Sequence, residues 1–390
     1  MPAGSASLSS LACDRLVDAA RFQSSMGSSM LANARQGISK RLVLSYIIDW
    51  IFIIGIALIG YGFSRVTPNH RPFALNDQSI SFPYTEDETV RTSVLVVVSL
   101  IAPAVIIFLV ILLFVPASVS RDTGSRLLLV KSKIWEWNAA WLGLGLSVAG
   151  VFMATQGLKA LYGRPRPDML ARCNPDLSDV ASYAVSGLGQ RVSEAPTLVT
   201  WEICRDKSDD LKVDGFSSFP SGHSSIAFAG LGYFSLWLCS KFAIGFPYLA
   251  HSPLSQELRV QNRESIRTQG AAPPVYMVIV AFVPIAVAFF IAASRWFDFR
   301  HHAFDIIIGT LMGVVFAWVG FRLYHLPIMR GGGWSWGARS PRHAFVKGIG
   351  LSSHVGADNW SNTGEVPVTT DTERHEDMVD LESGRRNLAE

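Results

Sequence analysis

The chain has 390 residues, 49% hydrophobic and 17% charged, with a formal net charge of +3 at pH 7. A mean hydropathy of +0.28 is too apolar for a soluble protein of this size and marks a membrane protein. With so small a net charge and no long Arg or Lys block, nucleic acid is excluded as a partner.

Residues 1–40 hold no apolar core of signal-peptide type and read as a disordered cytosolic tail. Apolar segments, each near the roughly 20 residues that a spanning helix requires, follow at about 42–62, 93–116, 138–160, 224–247, 274–293 and 303–324. The expected fold is therefore all-α, an integral membrane protein with six transmembrane helices over residues 41–325. The stretch from 326 to 390, without apolar periodicity, reads as a second disordered cytosolic tail. An even number of crossings puts both termini on one side. It also gathers the loops after helices one, three and five on the other.

Arg35, Lys40 and Arg41 precede the first span, and Arg121, Arg126, Lys131 and Lys133 are assigned to the loop after the second. By the positive-inside rule the termini face the cytosol, and the loops after helices one, three and five face a lumen or the exterior. The organelle stays open among vacuole, Golgi, endoplasmic reticulum and plasma membrane. The third loop, about 161–223, carries Cys173 and Cys204, which an oxidising lumen could pair.

Polar residues crowd three helix ends on that same face. Helix three closes with "KALYGRPRPD", bearing Lys159, Arg164 and Arg166; Pro165 and Pro167 end the helix before Arg166, so a bend is needed to bring both cations to one pocket. Helix four opens with "FPSGHSS", and helix five runs into helix six through "ASRWFDFRHHAFD". Each cluster alone could snorkel to lipid headgroups. Their convergence points to an anion site.

The residue types set the chemistry. Lys159, Arg166 and Arg295 would neutralise a phosphoryl group, the arginines through planar donor forks. The Ser221 hydroxyl and the amides of Ser221, Gly222 and His223 stand at a helix start, where unpaired N–H groups and the macrodipole favour an anion. Gly222 allows close backbone approach. His301, four residues before Asp305 and oriented by it, is expected to attack phosphorus. His223 is expected to protonate the leaving oxygen and then activate water. With cations absorbing the charge, no metal and no cofactor is required. Arg164 is expected beside the phosphate cage, and Asp298 and Arg300 are expected to pair locally.

These three stretches resemble the signature of the type 2 phosphatidic acid phosphatase superfamily: Lys159 with Arg166 and Pro167, then Pro220 through His223, then Ser294, Arg295, His301 and Asp305. The resemblance implies a six-helix core over roughly residues 40–325, a nucleophilic His301, an acid/base His223 and a phosphate cage of Lys159, Arg166, Ser221, Gly222 and Arg295. With "RPFALNDQSISFPYTEDETV" and "GRPRPDMLARCNP", the chain resembles the eukaryotic lipid phosphate phosphatases, especially the fungal and plant diacylglycerol pyrophosphate and phosphatidate phosphatases. That branch implies a membrane lipid substrate: phosphatidate, lysophosphatidate or diacylglycerol pyrophosphate, hydrolysed without Mg²⁺. The alternatives are a sphingoid-phosphate or polyprenyl-pyrophosphate substrate or, from another class, an organic-anion transporter, which would place its site near the bilayer midplane. The polar stretch between spans four and five, "AHSPLSQELRVQNRESIRTQGAAPP", lengthens the gap between the second and third motifs.

Overall fold

The computed structural model describes residues 39–114, 126–192, 195–242, 244 and 273–325, with Ile328, Ser335, Arg339, Ala344 and Phe345 as isolated positions. Nearly all of both expected tails and of the stretch between spans four and five lies outside the described residues. Contacts divide the chain into Met1–Ala338 and Arg339–Glu390, and the fold below is that of the first unit.

The helices in chain order are α1, Lys40–Phe63; α2, Thr92–Val96, continued by a π-helical turn at Val97–Ile101 into α3, Ala102–Phe114; and α4, Arg126–Tyr162. After them come α5, Met169–Cys173; α6, Gly222–Lys241; α7, Val275–Phe297; and α8, Ala303–Tyr324. Among the described residues five stretches are long and apolar enough to cross a membrane: Lys40–Phe63, Thr92–Leu113, Val130–Tyr162, Val275–Phe297 and Ala303–Tyr324. Side chains such as Phe52, Leu58, Leu113 and Phe290 stand exposed on them, as a lipid-facing surface requires.

The stretch expected as the fourth span is α6, which is absent from that apolar set because lipid is not its neighbour. From Gly222 to Ser240 every residue except His223, Ile226 and Leu236 is buried. α6 packs against α4, α7 and α8, so protein surrounds it and its serines and glycines are tolerated. Small residues also set how close the helices come. A Cβ at Gly309 or Gly313 of α8 would stand 2.5 Å from the carbonyl oxygen of Ser221 or Ser225.

Two expectations change. Arg126, Lys131 and Lys133 lie on α4 and not in a loop, because Lys and Arg are good helix formers and the helix runs on past the apolar stretch. At 37 residues it is about 55 Å long, against a hydrocarbon core of roughly 30 Å. The fold is mostly helical without being all-α. Two loops form an antiparallel sheet of β1, Phe73–Ala74, β2, Ala184–Ser186, and β3, Leu198–Val199, in the order β1-β3-β2. Phe73 pairs with Val199 and Ala74 with Leu198. Strands of two or three residues are too short for an alternating pattern to be read.

This sheet belongs to a polar layer over the ends of α1, α4 and α7 and the starts of α2, α6 and α8. Its small core of Phe73, Ile80, Met169, Val199, Ile203, Leu211 and Phe216 is stapled by a Cys173–Cys204 disulfide.

Candidate active site

α4 stops at Tyr162 because Gly163 takes φ +55°, a left-handed conformation open to glycine. A side chain there would also run into the Asn69 backbone. The prolines then keep the chain extended, and the Arg166 amide bonds the Gly215 carbonyl at 2.9 Å. The bend that the sequence required is made. Lys159, in the last turn of α4, lies over the start of α6: a Cβ at Gly222 would sit 3.5 Å from its Nζ. No hydrogen bond or ion pair engages that ammonium among the described residues.

Arg166 is buried and held on its far side by Asp214, through Nε to the carbonyl at 2.8 Å and Nη2 to Oδ1 at 2.5 Å. Nη1 donates to the Arg300 carbonyl at 3.2 Å. Asp214 also accepts from Arg172 at 2.9 Å and Arg300 at 3.0 Å. Burial opposes its ionisation, but Arg166, Arg172 and Lys159 outweigh it and hold the carboxyl below the usual range. Arg295, in the last turn of α7, is 1% exposed and donates to Ser294 Oγ, to Asp298 at 2.8 Å and to Glu88 at 3.0 Å. A guanidinium has five N–H donors. These contacts leave two on each of Arg166 and Arg295.

Asp298 does pair locally, with Arg295, and also binds Thr89 through its amide at 2.9 Å and its hydroxyl at 2.6 Å. Arg300 does not. Its partners are Asp214 and Glu88, the latter at 2.6 Å, because the chain turns at Phe299, with φ +54°, and sends the side chain toward the loops.

At the start of α6 the Ser221 side chain caps the helix, accepting from the Ser224 amide. The expected free Ser221 amide is instead used: it donates to the Asp305 carbonyl at 3.0 Å, tying α6 to α8. The amides of Gly222 and His223 lie in the first turn, where no intrahelical acceptor exists. His223 Nε2 donates to the Val90 carbonyl at 3.0 Å.

His301 lies between α7 and α8 and is 2% exposed. Its Nδ1 donates to the Ser218 carbonyl at 2.6 Å. A carbonyl only accepts, so Nδ1 carries the proton and the neutral ring keeps its lone pair on Nε2. Burial, then Arg166 and Lys159, push the imidazolium well below the usual histidine range. The His301 ring is therefore uncharged, with its lone pair on Nε2.

The expected orientation of His301 by Asp305 is not the arrangement found. The Asp305 carboxylate accepts from Arg164 at 2.6 Å, from Ser218 Oγ at 2.6 Å and from the His302 amide at 3.2 Å. Asp305 is the third residue of α8 and closes a capping box with His302. That fixes it toward the helix start, away from the ring. Its connection to His301 runs through Ser218, whose hydroxyl it holds and whose carbonyl holds the ring. Arg164 stands beside the cage as Asp305's partner.

Beside His301 opens a cavity of about 520 Å³ lined mainly by apolar groups, including Phe82, Pro167, Trp296, Phe299 and Phe304. Glu88 and Asp214 add charges to the site and Thr89 bonds Asp298; the sequence assigned none of the three a role. Residues 140–328, which hold every motif position, match the PAP2 superfamily. Diacylglycerol pyrophosphate phosphatase 1 of Saccharomyces cerevisiae is 32% identical over 281 residues, covering 72% of this chain and 80% of that protein. The chain belongs to the PAP2 superfamily. This PAP2 protein is also 31% identical to a probable diacylglycerol pyrophosphate phosphatase 1 of Schizosaccharomyces pombe, over 72% of this chain and 81% of that one. Lipid phosphate phosphatase 2 of Arabidopsis thaliana is 25% identical, over 73% of this chain and 79% of that one. No solved structure matches.

Proposed function

We propose that this protein is an integral-membrane lipid phosphate phosphatase, a phosphoric monoester hydrolase acting on phosphatidate, lysophosphatidate or diacylglycerol pyrophosphate through a phosphohistidine. The observation that carries the mechanism is the Nδ1 hydrogen bond of His301 to Ser218, which leaves the Nε2 lone pair for phosphorus. Nε2 attacks in line while the P–O bond to the lipid breaks. His223, charged once the phosphoryl dianion is bound, gives its second proton to the departing oxygen while Nε2–H stays on the Val90 carbonyl, then takes one from the water that cleaves the P–N bond and returns His301 and inorganic phosphate. Lys159, Arg166, Arg295, the Ser221 hydroxyl and the amides of Gly222 and His223 stabilise charge on the equatorial oxygens. These cations can carry that charge without a metal.

The apolar cavity beside His301 supports a lipid substrate, with glycerol and the first acyl carbons against Phe82, Trp296 and Phe304. α6 is the sixth crossing in this reading. Its 20 residues span about 30 Å, the thickness of the hydrocarbon core. The disulfide in the layer over the site supports a lumenal or extracellular face, since disulfides persist in oxidising compartments.

The test is phosphate release from phosphatidate and diacylglycerol pyrophosphate in detergent micelles containing EDTA. Activity should survive EDTA and be lost in His301→Ala, and unaltered enzyme quenched in alkali should retain a base-stable, acid-labile phosphoryl group. Full activity in His301→Ala would end the covalent mechanism.

A further inference from the structure

Three consecutive residues of the loop before α2 reach three different members of the site. Glu88 Oε2 lies 3.0 Å from Arg295 Nη1 and 4.0 Å from His223 Nε2. The Thr89 amide and hydroxyl bind Asp298, which itself holds Arg295. The Val90 carbonyl accepts from His223 Nε2. Two strap oxygens, one a carboxylate, thus engage the cage arginine and the acid/base histidine, the groups that must face a phosphoryl oxygen.

A carboxylate cannot stay there once a phosphate arrives, because like charges at such distances in a poorly solvated site repel strongly. The structure offers it another seat. Glu88 Oε1 is already 2.6 Å from Arg300 Nη2, and Arg300 Nε and Nη1 are buried without a hydrogen bond. Rotation of the Glu88 side chain would therefore move its charge from Arg295 to Arg300 without leaving it unpaired.

We infer that Glu88 is an affinity-determining residue of the active site: its carboxylate occupies the anion seat on Arg295 in the empty enzyme and is displaced onto Arg300 by the substrate's phosphoryl group. This rests on the phosphate cage proposed above. Glu88 sets what a ligand must outcompete, so it raises KM and the inhibition constant of any anion using Arg295.

The experiment is competition by inorganic phosphate against phosphatidate hydrolysis in micelles, with the full-length protein. Glu88→Gln keeps the shape and loses the charge. It should lower the phosphate inhibition constant and KM by about fivefold to tenfold, the scale of one partly screened charge contact, without raising kcat. Thr89→Val, which loosens the strap from Asp298, should shift both constants the same way by less, and it carries the test if Glu88→Gln does not accumulate. Unchanged or weaker phosphate inhibition in the variant measured overturns the inference. Arg295→Gln separates the two readings. If it weakens phosphate inhibition while Glu88→Gln fails to tighten it, the cage stands and the seat falls; if it has no effect, the cage falls and takes this inference with it.

Discussion

The two ends of the helical bundle both bury charge, and they do so differently. At the site end Arg166, Arg172, Arg295 and Arg300 share Asp168, Asp214, Asp298 and Glu88 in one network, with Lys159 and His301 at its edge. At the opposite end Glu136 of α4 bonds Lys241 of α6, accepts from the Ser335 amide and lies 3.9 Å from His325. Trp237, Tyr233 and Phe321 wall it in. One network keeps spare cationic donors and has at its edge His301, which lines a cavity. The other is a closed clasp in an apolar surround, and the difference teaches that burial of charge alone does not mark a catalytic site.

The comparison breaks most sharply at His301. His301→Ala should lower phosphate release by roughly a thousandfold or more, as loss of a covalent nucleophile does; single-turnover phosphate release measures it. Asp305→Asn should lower kcat by about a hundredfold, since Ser218 and Arg164 lose the charge that holds them. Ser218→Ala, which keeps the carbonyl bonded to His301, should stay within about tenfold. Equal losses in the two variants would count against orientation through the Ser218 backbone.

At the clasp the expectation reverses. Lys241→Met should cost about 3 kcal/mol of stability, the usual result of stripping one partner from a buried pair, while kcat per folded molecule holds. Thermal unfolding in micelles beside the turnover assay tests both. Opening the Cys173–Cys204 bridge, whose partners lie 31 positions apart in sequence, should remove about 2–4 kcal/mol. Faster amide exchange in the layer over the site than at the clasp would locate that loss.

The smallest effect is a pH dependence. Asp214 has its carboxyl held below the ordinary value, so its contribution is fully present above the unfolded pKa of about 4 and is lost as pH falls through the folded value. The gap in melting temperature between Asp214→Asn and the unaltered protein should be constant near neutrality and close in strong acid. A gap that widened on acidification would contradict the assignment.

The sequence by itself determined what depends on local pattern and residue chemistry. Apolar length marked the five described stretches that are long and apolar enough to cross a membrane, the Gly-Arg-Pro-Arg-Pro run marked where α4 must stop, and Lys159, Arg166, His223, Arg295 and His301 were legible as candidates for the proposed phosphate site by their type and place at helix ends. Cys173 and Cys204 were legible as neighbours in one loop. Only the tertiary structure decided who holds whom. Asp305, four residues from His301, turned to Ser218 and Arg164 because its place at the start of α8 aims it there. Glu88 reached Arg295 across 207 positions, and Asp214 reached Arg166 across 48. Hydrogen bonds between loops that far apart follow from how the helix ends are brought together, and no local periodicity encodes them.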